Sequence, residues 1–163
     1  MENGNNGYTV KGVKSFMGHE GNGYNCTLCK DGQKIASVID QGDGGEPYFY
    51  FENKPVEDAL HAYVKTLPNI VSDYDDPKDP TKKFEYTPDI ASFVSGLVDD
   101  YDYAKRTKRL CKTQTVYRLD DTPKDSVMIL KHPYDAEAKA HLEKKYGKRL
   151  VEIVNETLLA EVS

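Results

Sequence analysis

Apolar and polar positions alternate through the first third of the chain, a pattern typical of β-strands. Residues 8–16 and 24–30 are rich in β-branched and aromatic side chains, and Gly12 interrupts the first of these segments at a predicted bulge. The pair Asp31-Gly32 tolerates the positive φ angles that a two-residue turn requires. The pattern therefore predicts a hairpin over residues 24–40.

A run of aromatic residues, "PYFYFE", follows this hairpin. The two-residue period of a strand places Tyr48 and Tyr50 on one face and Phe49 and Phe51 on the other. The phenylalanines are expected to face the core.

Apolar residues then recur at spacings of three and four, which predicts helices. The first covers residues 53–67. The second begins after Thr87 as N-cap, with Pro88 in its first turn, and the third runs over residues 136–146 between Asp135 and Gly147. Strands are expected at 113–119 and 126–131. The tail over residues 148–162 fits either a helix or a strand, and the spacing of its apolar residues favours a helix.

Together these elements predict an α+β domain over residues 8–163, after a disordered tail at residues 1–7. We expect one antiparallel sheet of about five or six strands, built on the N-terminal hairpin, with about three helices packed mainly on one face. Residues 69–86 are interrupted by prolines and rich in aspartate, which predicts an exposed acidic loop.

Charge and cysteine content narrow the classes of function. The net charge is -5 at pH 7, which disfavours general nucleic-acid binding. The excess of acidic residues is small, so the acidic runs indicate solvated surface rather than a DNA mimic. Three cysteines, no apparent leader and no long apolar run indicate a reducing, cytoplasmic location without membrane contact.

Cys26 and Cys29 form a C-x-x-C motif within a predicted strand. Their odd spacing directs them to opposite faces, and neither a second cysteine pair nor a neighbouring Cys/His pair follows. We therefore expect no metal site and no cofactor.

Two glycine clusters, at residues 18–23 and 42–45, flank the predicted hairpin. Both are expected at the same end of the sheet, where His19, Glu20, Asp43 and Gly44 would converge. Glycine backbone there permits an anion-binding nest, while the alternative is a tight connection in which these residues only brace the turns. His19 beside Glu20 also supplies one base and one carboxylate, without a third catalytic partner.

Aromatic side chains supply a second candidate feature. Tyr48 and Tyr50 suit stacking on a nucleobase, and Arg118, on a predicted strand, suits bidentate phosphate binding. Packing in the core or at its rim explains such tyrosines equally well.

The run "KGVKSFMGHEGNGYNCTLCKDGQKIASVIDQGDGGE", with "VYRL" and "KKYGKRLVEIVNE" further on, resembles a group of small bacteriophage and mobile-element proteins. The resemblance covers most of the chain outside the acidic segment. It implies an accessory protein that inhibits host machinery, including immune systems.

These observations favour a non-catalytic accessory protein that counters host defence by binding. The expected form is sequestration of a nucleotide-derived immune signal at His19, Glu20, Asp43, Gly44, Tyr48, Tyr50 and Arg118. One alternative is inhibition of a host defence protein through acidic surfaces, and another is a small hydrolase that uses His19 and Glu20. Homo-oligomerisation is left open.

Overall fold

The computed structural model describes residues 4–162, with side chains described as far as residue 159. The chain divides into two compact units, Met1–Tyr101 and Asp102–Ser163. Each unit combines helices with antiparallel strands, which confirms the α+β class. The predicted counts are wrong, because the described residues form nine strands in three separate sheets and four α-helices.

The first sheet has four antiparallel strands in sequence order. They are β1 (Tyr8–Met17), β2 (Asn22–Lys30), β3 (Gln33–Asp40) and β4 (Tyr48–Phe51). The predicted hairpin turn is confirmed, since Asp31 and Gly32 have φ angles of 50° and 83°. The bulge is confirmed as well, because the β1–β2 register shifts between Lys11 and Lys14 and Gly12 has a φ of 62°.

Two helices supply the rest of this unit's core. The helix α1 spans Lys54–Val64, and α2 spans Ile90–Leu110. Leu60 of α1 and Val94 of α2 are fully buried in one cluster with Leu28 and Val38 of the sheet. Phe49 and Phe51 pack against that cluster, as their alternation predicts.

The start of α2 differs from the prediction. Asp89, not Thr87, caps the helix: its carboxylate accepts a bond from the Ser92 amide at 2.8 Å, and Ser92 Oγ accepts one from the Asp89 amide at 3.0 Å. This reciprocal pair satisfies two amide donors, which a threonine two residues earlier does not do.

The predicted acidic loop is a β-hairpin. Its strands are β5 (Ile70–Asp76) and β6 (Asp79–Tyr86). The prolines do not interrupt the pairing, because Pro77 lies in the turn and Pro80 near the start of β6. Lys83 and Asp75 form a cross-strand ion pair at 2.8 Å. The hairpin is largely exposed, as expected for the loop.

The second unit contains a three-stranded sheet in the order β8-β7-β9. These strands are β7 (Thr115–Leu119), β8 (Met128–Leu130) and β9 (Leu150–Ile153). The helix α3 (Ala136–Tyr146) has the predicted limits, since the Asp135 carboxylate caps it and Gly147, with a φ of 54°, ends it. Leu142 of α3 and Ile153 of β9 are buried with Tyr117 and Leu119 of β7.

The C-terminal segment begins as a strand rather than a helix. Residues from Leu150 pair with β7, and the helix α4 starts only at Val154 and continues to Val162. The register with β7 shifts between Arg118 and Leu119, so Val151 has no residue opposite it and is exposed, whereas Ile153 pairs with Tyr117 and is buried.

At the N terminus, residues 4–7 of the predicted tail form a turn, and residues 1–3 lie outside the described part. The Asp31 amide donates to the Gly7 carbonyl at 2.9 Å, which joins this turn to the β2–β3 hairpin. Among the described residues, no helix has the length and apolar character needed to cross a membrane.

Candidate functional site

The two glycine clusters meet at one end of the four-stranded sheet. The first forms the β1–β2 turn, in which the Gly18 amide donates to the Gly21 carbonyl at 2.7 Å. The second forms the β3–β4 loop, whose Gly42 carbonyl accepts a bond from the Glu20 amide at 2.8 Å. We call this region the glycine end; it comprises residues 18–23 and 41–45.

Glycine is required here because the two backbones touch. A Cβ on Gly42 would lie 2.7 Å from the Gly21 carbonyl oxygen and 2.8 Å from the Gly23 nitrogen. A Cβ on Gly18 would lie 2.7 Å from the Gln41 carbonyl oxygen. Close backbone packing therefore accounts for one glycine of each cluster, Gly18 and Gly42, without a ligand.

The amides of the β3–β4 loop are already engaged by carboxylates of the chain. The Gly42 amide donates to Asp40 Oδ1 at 2.8 Å, and the Gly45 amide donates to Asp43 Oδ1 at 3.0 Å. Two donors that an anion nest would use are thus occupied, which favours the tight connection.

His19, Glu20 and Asp43 are exposed at the glycine end. The Glu20 carboxylate lies beside Gly44, since a Cβ there would be 2.5 Å from Glu20 Oε2. The His19 imidazole makes no hydrogen bond or ion pair with the described residues. Backbone contacts, together with the carboxylates of Asp40 and Asp43, therefore hold the turns.

Tyr48 and Tyr50 lie next to this end, on the face of the sheet opposite the core. Their side chains are 52% and 59% exposed. The strand register forms two rows across this face, which we call the outer face. The rows are Tyr48, Ile39, Asn25 and Lys14, and Tyr50, Ser37, Thr27 and Lys11.

The outer face continues to the glycine end through Phe16. Its ring lies over Gly23, where an added Cβ would approach the ring carbon Cε2 to 2.5 Å. The face thus has two tyrosines at one edge, Ile39 with three small polar side chains in the middle, and two lysines at the other edge, an arrangement suited to an elongated anion with a flat ring.

Arg118 belongs to the second unit and serves a different purpose. Its guanidinium donates to the carbonyls of Lys124 and Ser126 at 3.0 and 2.9 Å, and to the Tyr103 hydroxyl at 3.1 Å. Further bonds reach the carbonyls of Thr122 and Pro123. Arg118 therefore organises the β7–β8 loop, while the other six predicted site residues lie on the outer face or the glycine end of the first unit.

Asn155 is a buried polar residue of the second unit that the sequence analysis did not single out. It is buried, and its Oδ1 accepts a bond from the Val116 amide at 2.7 Å. Its Nδ2 donates to the carbonyls of Gln114 and Cys111 at 2.9 and 3.3 Å. The sequence carried one signal of this role, because Asn155 follows Ile153 and Val154 in the largely apolar segment "VEIVNETLL". A buried asparagine needs hydrogen-bond partners for its side chain.

The C-x-x-C motif lies within β2. Cys26 and Cys29 are both buried, and burial raises the pKa of Cys26 to about 11. Within residues 4–162, no three potential metal ligands of the His, Cys, Asp and Glu types come together.

Comparison with known proteins gives no match to any family model, curated protein or solved structure.

Proposed function

We propose that the protein is a non-catalytic accessory protein of a bacteriophage or related mobile element that counters host defence by binding. In this proposal it sequesters a nucleotide-derived immune signal on the outer face of the four-stranded sheet. The observation that carries the proposal is the exposed pair Tyr48 and Tyr50, beside the residues of the glycine end.

The tyrosine pair suits a nucleobase. Side chains two positions apart on a strand lie about 6.6 Å from each other, so their rings present neighbouring stacking surfaces. Stacking of a base on an aromatic ring contributes ~1–3 kcal/mol and places little demand on base identity.

Lysines complete the site at the opposite edge. Three strand spacings separate β4 from β1, a distance of about 14 Å, so Lys11 and Lys14 are within side-chain reach of phosphates whose base stacks on the tyrosines. Asn25, Thr27 and Ser37 supply hydrogen-bonding groups between them. The outer face thus offers groups to each part of a nucleotide.

Ligand retention tests this proposal. The protein is incubated with cyclic nucleotides and cyclic ADP-ribose isomers, freed of excess ligand, denatured and analysed by chromatography. We expect intact ligand from the wild type and none from the Tyr48→Ala, Tyr50→Ala double variant. Tyr74→Ala is the matched control, since Tyr74 is an exposed tyrosine of the β5–β6 hairpin. Chemically altered ligand, or no ligand retained by the wild type, would contradict the proposal.

The β5–β6 hairpin favours a second candidate, inhibition of a host defence protein. Tyr74 is 81% exposed and Val71 is 58% exposed, with acidic side chains beside them. Exposed aromatics within a polar rim are typical anchors of protein interfaces. If this candidate holds, Tyr74→Ala abolishes the protection of phage growth and Tyr48→Ala leaves it unchanged.

A further inference from the structure

The second unit contains a cavity of about 360 Å³ that none of the predicted functions uses. It is lined by residues from three segments. These are Lys108 in the last turn of α2 with Cys111 and Lys112 just after it, Pro133 and Tyr134 before α3, and Asn155 and Leu158 of α4. The volume is at the lower end of the range for small-molecule sites.

Most of the polar groups around this cavity already have partners. The Asn155 amide makes the three hydrogen bonds described above. The Tyr134 hydroxyl donates to Glu156, which also pairs with Lys139 at 2.8 Å. Pro133, Leu158 and the ring of Tyr134 therefore offer apolar surface, and the nearby carboxylate is neutralised.

Lys108 and Lys112 are the exception. They are four residues apart, on the last turn of α2 and in the turn that follows it, and neither forms an ion pair with a side chain that the structure describes. Two positive charges beside an apolar cavity are complementary to a ligand that carries an anionic group on an apolar body.

We propose that this cavity binds an amphipathic carboxylate, with its carboxylate at Lys108 and Lys112 and its hydrocarbon part against Pro133, Tyr134 and Leu158. A cavity of about 150 Å³ holds a benzene molecule, so about 360 Å³ accommodates a medium-length acyl chain. This site is independent of the outer face and of the function proposed for it.

Cys111 provides a reporter inside the cavity. Its thiol is half-buried, whereas Cys26 and Cys29 are buried in the other unit. Burial raises the pKa of Cys111, so alkylation by the uncharged reagent iodoacetamide is slow enough to follow by mass spectrometry. An occupant of the cavity shields this thiol.

The experiment measures how saturated fatty acids slow alkylation of Cys111 in the full chain. We expect saturable protection by octanoate and weaker protection by octanol, which lacks the charge. From butanoate to octanoate, affinity should rise roughly fourfold for each added methylene and then level off once the cavity is filled.

A charge variant tests the role of the lysines. Lys108→Gln with Lys112→Gln should weaken octanoate binding at least about fivefold and leave octanol unchanged. The control, Lys144→Gln with Lys148→Gln, removes the same charge from exposed positions outside the cavity and should change neither. Absence of saturable protection, equal protection by octanol, or equal effects of the two lysine pairs would overturn the proposal.

Discussion

The two units hold their loops in different ways. In the first unit, the β1–β2 turn and the β3–β4 loop are joined through backbone contacts between glycines. In the second unit, the side chains of Arg118 and Asn155 reach the backbone carbonyls and amides of the connecting segments. Contacts between backbones leave the side chains of His19 and Glu20 available to a ligand, although Asp43 binds the Gly45 amide, whereas the bonds of Arg118 and Asn155 commit these side chains to the fold.

Asn155→Ala should produce the largest loss of stability, because this single side chain makes three hydrogen bonds. The substitution leaves the Val116 amide and two carbonyls without their partner, and a buried unsatisfied group costs ~1–3 kcal/mol. We expect a decrease of about 3 kcal/mol in the free energy of unfolding, measured by urea denaturation. Faster hydrogen exchange at the Val116 amide should accompany it.

The matched control is Asn25→Ala, which alters an exposed asparagine of the outer face. Its free energy of unfolding should stay within about 0.5 kcal/mol of the wild type. Equal effects of the two asparagine variants would mean that the second unit does not depend on Asn155.

Gly42→Ala tests the backbone bracing of the first unit. Gly42 has a φ of 65°, and its added Cβ would lie 2.7 Å from the Gly21 carbonyl oxygen. Left-handed backbone and overpacking together should lower the free energy of unfolding by about 2–3 kcal/mol, measured by urea denaturation.

Gly96→Ala gives the opposite sign and serves as its control. Gly96 lies within α2, and nothing lies within 4 Å of its added Cβ. The higher helix propensity of alanine should raise the free energy of unfolding by up to ~1 kcal/mol. A Gly42 variant as stable as the Gly96 variant would refute the close approach of the two loops.

Arg118→Lys should have an intermediate effect. Lysine keeps the charge but does not reproduce the planar guanidinium that bonds to the Lys124, Ser126 and Pro123 carbonyls. We expect a loss of about 1–2 kcal/mol and faster hydrogen exchange in the β7–β8 loop. Retention of nucleotide ligands should not change, whereas a loss of retention with unaltered stability would restore Arg118 to the ligand site.

Local signals in the sequence were sufficient to predict several elements of secondary structure. The Asp31-Gly32 turn and the helix between Asp135 and Gly147 depend on residues within a few positions of each other, and both were predicted. The division of the strands into three sheets was not predicted, because strand pairing joins residues that are far apart in the sequence. Residues 69–86 were predicted to be a loop because of their prolines, but they form a hairpin. Prolines in a turn or on an edge strand do not prevent strand pairing.

Part of the candidate site could likewise be predicted from the sequence. Turn positions placed His19, Glu20, Asp43 and Gly44 at one end of the sheet, because the order of strands along a meander fixes that end. Strand alternation placed Tyr48 and Tyr50 on one face. The sequence did not reveal that Arg118 donates to backbone carbonyls of a loop. Such partners leave no residue type in the sequence by which to recognise them.

The smallest effect on stability is expected at the exposed side chains of the glycine end. His19→Ala and Glu20→Ala remove no side-chain contact that holds the turns, since the bond to Gly42 comes from the Glu20 backbone amide. Each should change the free energy of unfolding by less than about 0.5 kcal/mol. Both variants are then assayed for ligand retention. Lower retention at unaltered stability would extend the ligand surface from Tyr48 to the glycine end, and a loss above ~1 kcal/mol would show that these side chains brace the turns after all.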